Sequence, residues 1–339
     1  MAESTLTWTV YDADKMTQRE IYGAVLSELG EKHPEIVGLS ADLAKSTKIG
    51  AFGDKFPERF FNVGIAEQNL FAMGAGLAKA GLTPFVSTFS AFASMRACEF
   101  VRTDICYPSA NVKIIATHGG TSFGSGGATH HATEDLSIVR AFPNLTVIVP
   151  ADAVETAHAV VACLDIDGPV YIRIGRGFEP RVYEKDQEEY GFEIGKAVEM
   201  CDGSDVTVIA CGACVLHAVQ AARILGEDDD LSVCVLNMHT IKPLDEEAVM
   251  KALMDTRRIV TVEDHNVIGG LGSAVADVIA GSGKGCVLEK LGIPDVFAPH
   301  GYPEDIMNMY KIDTDGIVEK VREVMGREFE EDEDWEDEV

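Results

Sequence analysis

Glu67 is a carboxylate whose place in the sequence could support chemistry. It opens an apolar stretch of helical pattern, LFAMGAGLAKA, directly after a short segment that resembles a buried strand. A carboxylate in the first turn of a helix commonly complements the positive end of the helix dipole. Taken alone, Glu67 is therefore explained by helix stability, and a catalytic interpretation depends on the segments around it.

Two basic residues follow predicted strands. His118 follows the apolar run VKIIAT, and Arg176 follows the apolar run VYIRIG. In parallel sheets ligands gather at the carboxyl ends of the strands, so the loops after these runs are candidate binding loops. Because a lone His after a strand is more often structural, His118 becomes a binding candidate only together with other signals.

Other motifs with a familiar spacing do not lead to a site. The glycine-rich stretches 119–127 and 269–272 lack the GK[ST] of a nucleotide-binding loop, and a nicotinamide cofactor is not favoured either. Cys211 and Cys214 have CxxC spacing at a strand-to-helix turn, but no second Cys pair or His cluster completes a metal site. The eight cysteines are scattered through apolar segments, as buried free thiols are in a reducing compartment.

The elements that must position these side chains alternate in type. Continuous apolar runs predict strands buried on both faces, and these runs are EIVGLS, PFVSTF, VKIIAT, LTVIVP and VYIRIG, then VTVIA, SVCVLN, RIVTVE and CVLEKLG. Helical patterns lie between the strands, and one of them is AFASMRACEFVRTDI. Because strands and helices alternate, the predicted fold class is α/β, with two parallel-sheet domains.

The domain boundaries follow from changes in composition. We predict an N-terminal extension (1–15), a first domain (16–177), a polar linker (178–194), a second domain (195–326) and an acidic tail (327–339). The last twelve residues carry nine carboxylates and no cation. Such a segment cannot bury enough apolar surface to order itself, so we expect a solvated tail.

Composition also excludes several partners and locations. A net charge of −28 argues against nucleic acid, because binding to nucleic acid needs a basic surface. The N-terminus has no basic region followed by an apolar stretch, as a secretory signal would have. No apolar run approaches the roughly 18–20 residues that span a bilayer. The expected location is the cytoplasm.

A series of blocks, in order and with matching spacing, resembles the second half of transketolases. The likeness is specifically to the C-terminal subunit of split transketolases, and it extends from about residue 16 to residue 325. The blocks are SADLAKST (40–47), FFNVGIAEQN (60–69), GLTPFVSTFSAF (81–92), GGATHHATEDLSIVRAFPNLTVIVPAD (126–152), GPVYIRIGRG (168–177) and VEDHNVIGGLGSA (262–274).

This resemblance implies a thiamine diphosphate pyrimidine-binding domain followed by a transketolase C-terminal domain. In that family the Glu of the GIAEQN block, here Glu67, hydrogen-bonds a ring nitrogen of the cofactor's aminopyrimidine and so activates the cofactor. Phe89 and Phe92 match aromatic positions that line the pyrimidine pocket, where ring-on-ring contact explains an aromatic residue. Asp42 falls where the family places an acid near the cofactor and the subunit interface.

The same resemblance implies a sugar site and an activity. His130 matches a substrate-contacting, catalytic His, while His118, Arg176 and Ser46 match positions that contact the phosphorylated end of a sugar. The implied reaction transfers a two-carbon ketol unit from a ketose, phosphorylated or otherwise anionic, to an aldose. His131, beside His130, receives no role.

The sequence departs from the family pattern at two places. Gly126 stands where transketolases have an Asp that contacts a donor hydroxyl, and Asp14 with Lys15 stands near the place of a phosphate-binding Arg. Both departures put the usual sugars in doubt, so a branched, deoxy or sulfonated sugar is an open alternative.

No GDG motif occurs in the chain, although such a motif holds the metal and the diphosphate in the other half of these enzymes. We therefore expect Mg²⁺ or Ca²⁺ on a separate N-terminal subunit and none on this chain, in an α₂β₂ heterotetramer. The alternatives are the beta subunit of a 2-oxo acid dehydrogenase, a deoxyxylulose-phosphate synthase-like enzyme, and a non-catalytic subunit that kept the fold.

Overall fold

The computed structural model describes residues 16–177, 181–183 and 192–327 of the chain. The predictions for Asp14 and Lys15, for most of the linker and for the acidic tail fall outside these residues. Within the described ranges, no helix is both long enough and apolar enough to cross a membrane.

The first domain alternates strands and helices as predicted. Its elements are α1 (Gln18–Lys32), β1 (Ile36–Ser40), α2 (Ala44–Thr47), α3 (Gly50–Lys55), β2 (Phe60–Asn62), α4 (Glu67–Lys79), β3 (Thr83–Phe89), β4 (Lys113–Thr117), α5 (Asp135–Arg140), β5 (Thr146–Ile148), α6 (Ala153–Ala162) and β6 (Val170–Arg173). These strands are parallel and lie in the order β5-β6-β4-β3-β1-β2. Neighbouring side chains enter opposite faces, since Val86 and Ile114 pack in one core cluster while Phe85 and Ile115 pack in another.

The second domain repeats this plan around a smaller sheet. Its elements are β7 (Val198–Cys201), β8 (Val206–Ala210), α7 (Cys214–Asp229), β9 (Val233–Asn237), β10 (Thr240–Lys242), α8 (Glu246–Asp255), β11 (Arg258–Asn266), α9 (Leu271–Ser282), β12 (Val287–Ile293), α10 (Pro303–Met309) and α11 (Thr314–Met325). The sheet order is β12-β11-β8-β9-β7, and the edge strand β7 is antiparallel to β9. The predicted fold class of two parallel-sheet α/β domains is confirmed.

Strand β10 joins the two domains in a way that the sequence pattern does not predict. It lies in the second half of the chain but pairs antiparallel with β5, with Thr240 opposite Ile148. The first sheet therefore has seven strands, and its outer strand comes from beyond the linker.

A buried carboxyl group also links the domains. Glu155 on α6 accepts hydrogen bonds from the backbone N–H of Ala151 (2.6 Å), the hydroxyl of Tyr183 (2.8 Å) and the side-chain amide of Asn237 (2.9 Å). Tyr183 belongs to the described part of the linker, and Asn237 ends β9. One side chain of the first domain thus holds both the linker and the second sheet.

The start of α1 is fixed by a capping box. The Thr17 hydroxyl accepts from the N–H of Glu20, and the Glu20 carboxylate accepts from the N–H of Thr17, an arrangement in which the cap stabilises a helix by about 1 kcal/mol. Gln18 in the first turn donates to the carbonyl of Pro150 and accepts from the N–H of Gly175. Because both partners follow strands, this end of α1 lies at the carboxyl edge of the first sheet.

The region predicted as one helix, AFASMRACEFVRTDI, is irregular. Phe92–Arg96 and Val101–Cys106 are π-helical and flank a single α-helical turn, Cys98–Phe100. Each wide turn changes the direction of the side chains that follow, and such turns are frequent at functional sites. The helical pattern in the sequence therefore predicts a helical region here but does not reveal its two wide turns.

Candidate active site

Aromatic and imidazole rings gather at the carboxyl edge of the first sheet. Phe89 ends β3, and its ring lies 5.5 Å from that of Phe92 at an angle of 23°. The imidazole of His118, which follows β4, lies 3.8 Å from the Phe89 ring, and that of His130 lies 5.5 Å from the Phe92 ring. The structure therefore brings together four of the residues that the sequence singled out.

Glu67 is the first residue of α4, and only 2% of it is exposed. Its Oε1 accepts a hydrogen bond of 2.8 Å from Nη1 of Arg96. The guanidinium of Arg96 also lies 4.2 Å from the centre of the Phe92 ring. The planar guanidinium of Arg96 thus connects the carboxylate of Glu67 to the aromatic cluster. No sequence motif had indicated this arginine.

His118 is a neutral group in this site. Burial, reinforced by the positive charges of Arg19 and Arg176 and by His130, lowers its pKa to about 3. Its Nδ1 lies 2.8 Å from the hydroxyl of Thr117. His118 can therefore exchange hydrogen bonds with a ligand near neutral pH, but it does not supply a positive charge.

Besides Arg96, two further arginines bring positive charge to this region. Arg176 is exposed, and its guanidinium lies 4.8 Å from the centre of the Phe123 ring. Arg19 in the first turn of α1 donates from Nη1 to the carbonyl of Ser46 at 2.6 Å, which places Ser46 in the same region. The family pattern places a cation near positions 14–15, which lie outside the described residues, and no sequence block singled out Arg19.

Phe123 is a third residue that the sequence motifs did not single out, after Arg96 and Arg19. Its ring stands perpendicular to that of His130 (5.4 Å, 89°) and packs edge-on against that of His118 (5.0 Å, 71°). A Cβ on Gly126 would lie 2.8 Å from the Phe123 ring and 2.9 Å from the Cβ of His130. Phe123 therefore uses space that opens only because position 126 is glycine, and no sequence motif signals this.

Asp42 and His131 make other kinds of contact than the ring contacts of the aromatic cluster. Asp42 is exposed, has a left-handed backbone (φ 62°) and hydrogen-bonds through its N–H to Asn62 Oδ1 at 2.9 Å. His131 is buried, and its Nε2 lies 3.2 Å from the carbonyl of Gly124. His131 thus supports the glycine-rich loop, whereas a cofactor contact by Asp42 stays a prediction.

The cysteines and the possible metal ligands add no second site. Cys211 and Cys214 are buried free thiols whose pKa values are raised by burial, which opposes redox chemistry. In the part of the chain that the structure describes, no group of three or more His, Cys, Asp or Glu residues is arranged to hold a metal ion.

Two family models match the chain. The transketolase pyrimidine-binding domain matches residues 14–179, and the transketolase C-terminal domain matches residues 195–317. The aromatic cluster, Glu67 and the arginines all lie within the first match.

Individual proteins agree with these matches. The chain is 45% identical to a Methanocaldococcus jannaschii protein with the provisional name of transketolase C-terminal section, over 91% of this chain and 96% of that protein. It is 38% identical to one subunit of the apulose-4-phosphate transketolase of Phocaeicola vulgatus, over 90% and 96%. Among solved structures, a split gene transketolase described as an inactive β4 tetramer is similar, with a TM-score of 0.83, 44% identity, and coverage of 91% of this chain and 98% of that chain.

Proposed function

The chain belongs to the transketolase family as the half that holds the pyrimidine-binding and C-terminal domains, and on this premise we propose that it is one subunit of a two-chain, thiamine diphosphate-dependent transketolase. In this proposal the enzyme transfers a two-carbon ketol unit from an anionic ketose to an aldose. The observation that carries the proposal is Glu67, a buried carboxylate that Arg96 connects to the ring of Phe92 at the carboxyl edge of a parallel sheet.

The residues present fit the aminopyrimidine ring of the cofactor. Glu67 already accepts a hydrogen bond from a planar N–C–N group, the guanidinium of Arg96, and that group is stacked on Phe92. An aminopyrimidine offers the same combination of a planar face and nitrogen atoms at its edge. Phe89 packs behind Phe92 and would keep that ring flat against the cofactor.

When bound, thiamine diphosphate supplies the nucleophilic carbon and the electron sink for carbon–carbon bond cleavage. The task of Glu67 is to hold a proton at a ring nitrogen of the aminopyrimidine. Its low exposure excludes water, which strengthens that hydrogen bond.

The sugar would bind beside this group. Arg19 and Arg176 supply positive charge for its anionic end, and the neutral His118 and the hydroxyl of Ser46 supply hydrogen bonds. The ring of His130 is oriented by the hydroxyl of Thr129, 2.9 Å from its Nδ1, and would contact the reacting end. One relative is named for apulose 4-phosphate, and this name supports a branched sugar as one candidate substrate.

The metal and the diphosphate are proposed to lie on a partner chain. No GDG motif occurs in the sequence, so we assign Mg²⁺ or Ca²⁺ to an N-terminal transketolase subunit, in a cytoplasmic α₂β₂ assembly. Purified alone, this chain should then show no thiamine-dependent activity.

The test uses the chain reconstituted with its N-terminal partner subunit. Glu67→Gln should lower the rate of ketol transfer by three orders of magnitude or more, which corresponds to about 4 kcal/mol in the barrier. Glu99→Gln is a matched control, because Glu99 is an exposed carboxylate close in sequence to Arg96. An unchanged rate in Glu67→Gln would exclude the proposed role.

The same preparation separates the alternative reactions. We expect two-carbon transfer from ketoses to aldehydes, with anionic sugars preferred. Decarboxylation of pyruvate without ketol transfer would instead assign the chain to a 2-oxo acid dehydrogenase or to a deoxyxylulose-phosphate synthase-like enzyme.

A further inference from the structure

Arg96 makes two contacts at once in the proposed cofactor pocket. Its Nη1 donates to Oε1 of Glu67 at 2.8 Å, and its guanidinium carbon lies 4.2 Å from the centre of the Phe92 ring. A guanidinium is planar and presents an N–C–N edge, so it can stack and donate hydrogen bonds at the same time. The group therefore occupies the space between a carboxylate and an aromatic face that a flat nitrogen heterocycle would need.

The two partners differ in exposure. The side chain of Glu67 is 2% exposed, whereas that of Arg96 is 48% exposed. A buried carboxylate without a partner is costly, because nothing replaces the water that it has lost. Arg96, by contrast, regains water when it turns outward, so the pair can open at the arginine side while Glu67 stays in place.

Local backbone geometry explains how Arg96 reaches this position. It ends the π-helical turn Phe92–Arg96, which starts at the residue on which its guanidinium stacks. In this wide turn the side chain of Arg96 packs against the ring of Phe92, four residues earlier. The guanidinium and the ring on which it stacks therefore belong to the same turn.

We propose that Arg96 is a positioning residue that fills the aminopyrimidine subsite until the cofactor arrives. It keeps Glu67 paired and aimed at the pocket, and it exchanges places with the aminopyrimidine when the diphosphate-bearing partner completes the site. This inference rests on the proposed function, because it identifies the ligand as thiamine diphosphate. Its consequence is that the cofactor must compete with a side chain of the protein.

Such competition lowers the apparent affinity for the cofactor, because the cofactor binds only the molecules in which the subsite is open. Arg96→Met keeps the length of the side chain and removes both the charge and the hydrogen bond. We expect the reconstituted complex with Arg96→Met to bind thiamine diphosphate with a dissociation constant about five-fold to ten-fold lower than that of the wild type. Association in stopped-flow measurements should be faster by a similar factor.

Two further variants make the test specific. Arg96→Lys keeps the charge but lacks the planar fork, so its dissociation constant should lie between those of wild type and Arg96→Met. Arg102→Met is the matched control, because Arg102 is an exposed arginine in the same helical region, and its affinity should equal that of the wild type. Calorimetric titration of each complex with the cofactor and a magnesium salt measures these constants without relying on turnover.

The outcomes separate this inference from the proposed function. An unchanged or weaker affinity in Arg96→Met, in a complex that melts as the wild type does, would overturn the exchange even if Glu67→Gln abolishes transfer. If Arg96→Met fails to assemble, the Arg96→Lys complex decides by the same criterion. A wild-type complex that binds no thiamine diphosphate would refute both the exchange and the proposed function.

Discussion

Replacing Glu155 by glutamine should make the stability of the protein less sensitive to pH. The carboxyl group lies fully inside the protein, where it joins α6, the linker and β9. Burial raises its pKa from 4.5 to about 7, even though hydrogen bonds from Ala151, Asn237 and Tyr183 act in the opposite direction. The native state therefore holds a proton on Glu155 that the unfolded chain has already released.

The sign of the effect follows from this difference. Between pH 4.5 and about 7 the folded protein binds more protons at Glu155 than the unfolded chain does, so this contribution to stability decreases as the pH rises. It is fully present below pH 4.5 and is lost once the pH passes the folded-state pKa. At about 1.4 kcal/mol for each pH unit, the total change is about 3 kcal/mol.

Glutamine has nearly the same shape and does not titrate. Its carbonyl oxygen can take the place of Oε1 of Glu155, which accepts from the hydroxyl of Tyr183 and from the side-chain amide of Asn237. We expect the free energy of unfolding of Glu155→Gln, minus that of the wild type, to rise by about 3 kcal/mol from pH 4.5 to 7.5. Urea unfolding at half-unit pH steps, followed by circular dichroism, measures this difference.

Glu227→Gln is the control, because Glu227 is an exposed carboxylate on α7. Its difference from the wild type should stay flat over the same pH range. If the Glu155→Gln difference is also flat, or falls with pH, then Glu155 is ionised in the native protein and the reasoning from burial is wrong.

Three further predictions concern the candidate active site. Gly126→Ala should push the ring of Phe123 aside, because the new Cβ would lie 2.8 Å from it. We expect kcat/KM to fall about ten-fold in steady-state assays and the free energy of unfolding to fall by about 1–3 kcal/mol. Arg176→Met should raise KM for anionic ketoses by about ten-fold or more and leave neutral ketoses unaffected, since only the former lose a charged partner; equal effects on both would contradict the assigned role. His118, whose pKa is lowered to about 3, destabilises the fold as the pH falls from 6.5 towards 3, because the unfolded chain takes up the proton first. His118→Asn should therefore reduce acid sensitivity in the same unfolding assay, and NMR titration should show a neutral imidazole from pH 5 to 8.

Most strands of both sheets could be predicted from the sequence because their apolar runs are continuous, but β7 (Val198–Cys201) has no such run and was not predicted. VKIIAT, for example, contains the observed Lys113–Thr117, and VTVIA coincides with Val206–Ala210. Burial on both faces leaves a signal in the composition of each run, and this signal does not depend on distant partners. The edge strand β10 has three residues and one partner across the domain boundary, so its local pattern is too short to predict it.

Within the site, the sequence identified the residues that lie in the blocks shared with transketolases. It did not identify the residues whose place in the site depends on contacts made in the folded protein. Arg96 lies 29 positions from Glu67, and only the folded chain brings the two together. Phe123 depends on the missing side chain at Gly126, which appears in the sequence only as a departure. Arg19 depends on where α1 begins relative to the sheet. Each of these three is a consequence of tertiary geometry, to which a periodic pattern does not respond.

The position of β10 also affects the order in which the protein can be made. During synthesis the β5 edge of the first sheet stays open until residues 240–242 have left the ribosome, long after the first domain is otherwise complete. Open strand edges readily pair with other chains. A fragment cut within the linker would carry this unprotected edge permanently, so the first domain should aggregate when it is expressed alone. The two domains of this chain therefore need to remain on one polypeptide.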